Sequence, residues 1–275
     1  MTSREPVDIA AIRAAVANPN GPYARVDYTA FTGSTNADLV AAGHQNAPAW
    51  TAVVTEYQNS GRGRHGRVWT APKGSQVTLS ILIRPTAESI ERLGTMPLVS
   101  GLAIIDALTA TAARHPDATD KLTPQLKWPN DVLIDGRKLC GILAEAVSLG
   151  PEPAVVIGLG LNVSITTEEL PVPHATSLDL EAPGIEIDRA QLTADVLLAL
   201  HHRINQWVDA DPQLMADYRA VCSSIGADVK VLLPGDEELL GTVRDVADDG
   251  RLVVVDKQGS EHVLAAGDVT HLRLQ

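Results

Sequence analysis

The spacing of apolar residues changes several times along the chain, and each change marks an element. Over residues 189–208 they recur at every fourth position, at Leu192, Val196, Leu200 and Ile204. That is the period of a helix burying one face. Residues 7–17 carry a shorter version, closed by NPNGP at 18–22. STNADLVAAG, 34–43, predicts a helix capped by Ser34 or Thr35, with Gly43 past its end. Residues 88–113 predict a long helix rich in small residues, and 212–222 a short one. Apolar and β-branched runs predict strands at 23–29, 50–57, 76–84, 124–134, 138–148 and 153–164.

Past Gly226 the texture changes. Residues 228–235, 239–246, 251–256, 261–267 and 269–274 read as five short strands divided by turn residues. Strands so short and so close together predict a small barrel. The boundary falls at 223–226, giving a larger domain over 1–223 and a smaller one over 224–275.

Composition narrows the class. The chain has 275 residues with ordinary hydrophobic content but only one Phe, so its core must be built from Ala, Val, Leu and Ile. A net charge of −12 argues against nucleic acid or a membrane surface as partner, although a local basic patch can still serve a small anion. Cys140 and Cys222 make no disulfide framework, and Glu5 and Asp8 interrupt any signal-like start, so a cytoplasmic home is expected. No run approaches the length of a membrane span. The eight histidines show no metal-ligand spacing, so no protein-held metal is expected.

The chemistry concentrates in a few segments. GRGRHGR, 61–67, fits G-x-G-x-x-G letter for letter. A dinucleotide turn needs a helix opening inside that pattern, and RVWTAPKGSQ is turn-rich and leads to another strand. No G-K-[ST] follows any such loop, so the Walker pattern fails as well. Glycines alternating with arginines suit an anion clamp, because the backbone can approach closely while guanidinium forks hold the charge. A solvated surface loop fits the composition equally well. KWPND, 127–131, brings Lys127, Asn130 and Asp131 together at a bend before Pro129; on spacing alone it is a plain turn. Lys138 opens a strand, where a surface lysine is the simpler reading, and Cys140 lies in an apolar run as a buried thiol.

In order, GSTN (33–36), EYQNSGRGRHGRVW (56–69), KWPND (127–131), RKLCGILAE (137–145) and GLGLNV (158–163), followed by the small barrel, resemble the biotin protein ligases over residues 25–273. The resemblance implies an α+β fold: a mixed β-sheet flanked by helices, of the class II synthetase-like kind, with an SH3-like C-terminal barrel. It implies activation of biotin by ATP to biotinyl-5′-AMP, then transfer to a lysine of a biotin carboxyl carrier domain of acyl-CoA carboxylases. Arg64, Arg67 and Lys138 would supply positive charge, with Lys138 bridging the biotin carboxyl and the α-phosphate. Asp131 would orient the incoming lysine and accept its proton. Biotin would meet Ser34, Thr35, Asn36, Gln58, Gly61, Arg62, Gly63, Arg64, Lys138 and Gly141. ATP, with Mg²⁺, would meet Arg67, Trp69, Lys127, Asn130 and Asn162.

Two departures stand out: His65 sits where related sequences often carry another basic residue, and only residues 1–22 precede the first predicted strand. A three-helix DNA reader is therefore not expected. A lipoate ligase using the same adenylation logic, or a non-catalytic biotin or nucleotide sensor, is the alternative. A monomer or weak dimer is expected, as is a Gly/Arg loop that is mobile without ligand, since its charges repel.

Overall fold

A computed structural model describes residues 4–118, 122–233 and 237–272. The larger part contains α1 (Ile9–Val16), β1 (Arg25–Thr29), α2 (Thr35–His44), β2 (Thr51–Thr55), β3 (Gln76–Ile83), α3 (Met96–Ala113), β4 (Gln125–Lys127), β5 (Asp131–Ile134), β6 (Arg137–Ser148), β7 (Ala154–Asn162), α4 (Leu178–Glu181), α5 (Arg189–Val208) and α6 (Gln213–Val221). Its strands form one sheet in the order β1-β2-β3-β7-β6-β5-β4. The β1–β2 pair is parallel and the other pairs are antiparallel, so the sheet is mixed, within an α+β architecture.

Every residue of β3 and β7 is buried, as in strands covered on both faces. Alternation then divides two environments. Val77, Leu79, Ile81, Val155, Ile157, Leu159 and Leu161 enter the main core under α3 and α5. On the other face Leu82 and Val156 pack beneath α2 with Leu39 and Val53. Gln76, Thr78 and Ser80 of β3 share that second face with Gly158, Gly160 and Asn162 of β7, and the β7 residues line the site.

Some sequence expectations change in detail. Gly43 lies inside the last turn of α2 rather than past its end. It is glycine because a Cβ there would come within 3.1 Å of Val147, so α2 can lie close on the sheet. The 88–113 segment divides into a 3-10 stretch, Ser89–Thr95, and α3, which starts with Pro97 in its first turn, where proline's missing N–H costs nothing. By length and composition Ser89–Ala113 could cross a membrane, contrary to the reading that no run approached that length. Leu98, Leu102, Ile104 and Leu108 are instead buried in the protein core. The strand expected at 124–134 is a hairpin: β4 pairs with β5, Lys127 opposite Asp131, around a cis Trp128–Pro129 peptide.

The smaller part holds β8 (Asp228–Leu232), β9 (Glu238–Val246), β10 (Leu252–Asp256), β11 (Glu261–Leu264) and β12 (Asp268–His271). They form an antiparallel sheet in the order β11-β10-β9-β8-β12. Residues 234–235 and 273–274 of the expected strands lie outside the described residues. Val229, Val231, Val243, Val254 and Val269 join the main core cluster, so the two parts share one apolar interior. The β4–β5 turn is gripped between them. Trp128 donates its backbone N–H to Ser224 Oγ at 3.1 Å and its indole N–H to the Gly250 carbonyl at 2.9 Å.

Candidate active site

A cavity of about 1030 Å³ opens on the glycine-bearing face of β6 and β7. At its floor the Trp69 indole lies across Gly160, where an ideal Cβ would stand 2.3 Å from the indole nitrogen. Gly141 meets the other edge of the ring, at 2.9 Å on the same measure. The indole N–H donates to Gln76 Oε1 at 3.3 Å.

A β-bulge brings Lys138 to this floor. The β5–β6 register passes from Val132–Cys140 to Leu133–Lys138, leaving Leu139 unmatched. Leu139 and Cys140 both enter the core. Lys138 and Gly141, three residues apart, therefore share the cavity face, with Lys138 Nζ 3.3 Å from the ideal Gly141 Cβ and 5.4 Å from the centre of the Trp69 ring. The Lys138 backbone is fixed on both sides, donating to the His174 carbonyl at 2.7 Å and accepting from Thr176 N–H at 2.9 Å. Burial pushes the Cys140 thiol up, so it stays protonated and inert.

One end of the cavity is uncharged and polar. Gln58 Oε1 accepts from Thr35 N–H at 2.8 Å and from Thr35 Oγ1 at 3.1 Å. Its Oε1 thus occupied, Gln58 keeps its Nε2 donors for a ligand. Ser34 caps α2, its Oγ accepting from Ala37 N–H at 3.4 Å, and its hydroxyl proton remains available. Beneath them, buried Ser80 lies 2.7 Å from Thr35 Oγ1 and 2.6 Å from Asn36 Oδ1. Asn36 Nδ2 donates to Glu145 at 2.6 Å. Ser80 and Glu145 were not among the residues expected from sequence; only their place two strands apart on one face reveals them.

The other end is cationic. Residues 61–69 form a closed hairpin, with Trp69 N–H donating to the Gly61 carbonyl at 2.9 Å and Gly63 N–H to the Arg67 carbonyl at 2.7 Å. Arg62 bridges Val68 across it, and left-handed His65 and Gly66 make the tip. The repulsion expected among its arginines is met by a carboxylate from β12. Arg67 forms an ion pair with Asp268, and Arg64 lies 3.8 Å from the same group. Burial lowers the Arg64 pKa, though a guanidinium stays charged at any working pH.

Lys138 Nζ lies 2.6 Å from Asp131 Oδ1, an oxygen that is buried and has no other polar partner. Asp131 is thus first of all the counter-ion of Lys138. Lys127, opposite Asp131 in the β4–β5 pair, has its pKa lowered chiefly by burial while Asp131 opposes that shift. Asn130 and Asn162 line the cavity but spend their amide nitrogens on the protein. Asn130 Nδ2 donates to the Ile142 carbonyl at 2.9 Å and Asn162 Nδ2 to the Thr176 carbonyl at 2.7 Å. Asn162 Oδ1 also accepts from Gln76 at 2.6 Å. The structure thus gathers the expected residues around one cavity, except Gly61, which is buried at the base of the hairpin and does not line it, and adds Asp268 and His271 from the smaller part. Nothing in the spacing of GDVTH marked them.

Fold and site together define a mixed-sheet domain with a cation-lined cavity, carrying a small antiparallel β-domain. The Biotin/lipoate A/B protein ligase family model matches residues 28–162, and the Biotin protein ligase C terminal domain model matches 224–272. The chain is 42% identical over 271 residues to the biotin–[acetyl-CoA-carboxylase] ligase of Mycobacterium tuberculosis, covering 98% of this chain and 97% of that one. It is 30% identical over 205 residues to the bifunctional ligase/repressor BirA of Escherichia coli, covering 74% of this chain and 61% of BirA. A solved biotin protein ligase from Aquifex aeolicus, in complex with biotin and ATP, aligns with a TM-score of 0.74 at 24% identity, a likeness of fold, over 92% of this chain and all of that one. The chain belongs to the biotin protein ligase family.

Proposed function

We propose that this cavity performs both steps of protein biotinylation. The observation that carries the reading is charge inversion: in a chain of net charge −12, the cavity is lined by six lysines and arginines and only three carboxylates. Two anions must meet in the first step, and clustered fixed cations are what allow it. A biotin carboxylate oxygen attacks the α-phosphorus of ATP. The new O–P bond forms as the bond to the β-phosphate oxygen breaks, and pyrophosphate leaves. Lys138, on the cavity floor between the polar end and the arginine hairpin, is placed to hold the carboxylate and α-phosphate together. Ser34 Oγ–H and Gln58 Nε2 supply donors to the buried urea of biotin, whose desolvation would otherwise go uncompensated. Thr35, Asn36, Gly61, Arg62, Gly63, Arg64 and Gly141 complete the biotin side. Trp69, Arg67, Lys127, Asn130 and Asn162 form the nucleotide side, the asparagines through groups not already bonded.

In the second step the carrier lysine amine attacks the acyl carbon. The C–N bond forms, the C–O bond to phosphate breaks, AMP leaves and the amine sheds a proton, for which Asp131 is the nearby acceptor. Mg²⁺ enters with ATP as part of the substrate. Phosphate oxygens and water would hold it, as is usual for Mg²⁺ carried by a nucleotide. The acceptor is a biotin carboxyl carrier domain of an acyl-CoA carboxylase. Both cysteines are buried and free, which fits a cytoplasmic enzyme.

The test is incubation with ATP, Mg²⁺ and labelled biotin, with and without a carrier domain. Label is expected in an adenylate when the carrier is absent and on the carrier lysine when it is present. Lys138→Met should slow biotin-dependent pyrophosphate release about 10²–10³-fold, the scale for removing one preorganised charge-stabilising donor. Labelling with lipoate in place of biotin, or an undiminished rate in the variant, overturns the reading.

A further inference from the structure

The tip of the Gly/Arg hairpin has no apolar anchor. None of residues 64–66 is buried, and Val68 is 82% exposed. What meets the tip is one carboxylate of the smaller part. Arg67 pairs with Asp268, Arg64 Nη1 lies 3.8 Å and His65 Nε2 3.9 Å from Asp268 Oδ1, and Arg64 also donates to the Gly267 carbonyl at 3.3 Å. The carboxylate itself stands on firm ground. Asp268 begins β12, which pairs with β8 along its length, and the next residue, Val269, is buried in the shared core.

We propose that Asp268 is a positioning residue for adenylate formation: the counter-ion that holds the hairpin over the cavity with Arg64 and Arg67 aimed at the reacting anions. The inference rests on the biotinylation reading above. It explains how a glycine-rich loop keeps the mutually repelling Arg64 and Arg67 in one place, and it gives the smaller part a task at the site. Each guanidinium carries five N–H donors in a fixed fork, so it can hold Asp268 and a substrate oxygen together. The hairpin keeps a net positive charge, because both Arg64 and Arg67 share this one carboxylate. The part the structure gives Asp268 is mechanical: it sets where Arg64 and Arg67 stand.

The experiment compares amide hydrogen exchange in the free full-length protein and in Asp268→Asn and Asp268→Glu. Ion pairs that are partly exposed are individually weak, so exchange of residues 61–69 should quicken about three- to tenfold in Asp268→Asn. Asp268→Glu should restore part of the protection. Amides of Gln76–Ile83 and Ala154–Asn162 should be unaffected. In enzyme loaded with biotin and ATP, the adenylate should escape from Asp268→Asn faster by a similar factor. Arg67→Gln should loosen the hairpin too, and adding Asp268→Asn to it should change little more. Unaltered hairpin exchange in Asp268→Asn overturns the proposal. So does a parallel rise in the core strands, which would make Asp268 a general packing residue. If the wild-type protein forms no adenylate at all, the biotinylation reading fails, and the exchange comparison still decides whether Asp268 anchors the hairpin.

Discussion

Gly160→Ala is the substitution whose consequence can be worked most directly from the site. A Cβ at Gly160 would lie 2.3 Å from Trp69 Nε1, 2.6 Å from Cε2 and 2.8 Å from Cζ2. Non-bonded carbons rest at about 3.5–4.0 Å, so the indole must move by roughly an ångström or more. It has little room, since Gly141 already meets its far edge and Lys138 stands over its face. The displacement breaks the indole bond to Gln76 Oε1, but that oxygen keeps Thr78 Oγ1 at 3.1 Å and is not orphaned. The cost is chiefly that of overpacking, about 1–3 kcal/mol, with a further loss if the displaced indole N–H finds no new acceptor. In a chain of this size each kcal/mol lowers Tm by about 2–4 °C. Thermal melts should show that loss, and pyrophosphate exchange should show a raised KM for ATP. In a Trp69→Ala background the same change should cost almost nothing, giving a coupling of at least about 1 kcal/mol. Gly150→Ala, with nothing within 4 Å, is the silent control. An unchanged Tm and KM in Gly160→Ala, or the same penalty with and without the indole, would refute the packing argument.

Asp131→Asn should slow transfer to the carrier more than adenylate formation, measured as separate single turnovers. A lysine of pKa near 10.4 is neutral about once in 2,500 at pH 7, a penalty of about 4.6 kcal/mol that a local acceptor eases. Equal slowing of both steps would leave Asp131 only as counter-ion to Lys138. Ser80→Ala removes the hydroxyl that joins Thr35 to Asn36 and should raise the KM for biotin more than it lowers kcat; an unchanged KM would sever that network from binding. His271 has its pKa held below the ordinary value by burial and then by the Lys127 ammonium. The unfolded chain therefore takes up that proton first as pH falls through about 6.5. The associated stability is complete above that pH and lost below it, down toward the folded pKa. Melts at pH 7.5 and 5.5 should show a smaller acid loss in His271→Gln than in the wild type, and parallel losses would count against it.

How much of this was legible in the sequence depends on whether the deciding interaction was local. Leu192, Val196, Leu200 and Ile204 announced α5 because a helix writes its buried face at a fixed period. The apolar runs in β3 and β7 were equally plain, yet the second role of their even positions was hidden, since Gln76, Thr78 and Ser80 look like interruptions until β7 lies beside them. The bulge at Leu139 was hidden too. Regular alternation would put Lys138 and Gly141 on opposite faces, and only the pairing with β5 reverses that. The bend at KWPND was legible from Pro129, but not that it closes a hairpin whose tryptophan is held by Ser224 and Gly250, some hundred residues on in sequence. Asn130 and Asn162 read as ligand contacts from their motifs, while much of their hydrogen-bonding capacity holds β6 and the 174–176 segment in place.

The distribution of carboxylates explains how an acidic protein can keep so cationic a cavity folded. Its cations come from segments far apart in sequence, the 61–67 loop, the end of β4 and the start of β6, so their repulsion must be met in the folded state alone. Arg137, at the start of β6, pairs with Glu181, and two carboxylates meet the other cations at separate places. Asp131 sits against Lys138 and across from Lys127; Asp268 sits among Arg64, His65 and Arg67. Each has fewer negative charges than the cations around it, so both clusters stay short of neutrality. Full compensation would stabilise the empty protein and leave nothing for a carboxylate or phosphate to gain. Removing either acid would raise the potential but free the cations to swing toward water, where the same charge is worth far less. Partial pairing keeps the groups both aimed and unsatisfied, and the remaining deficit is what a bound acid and nucleotide fill.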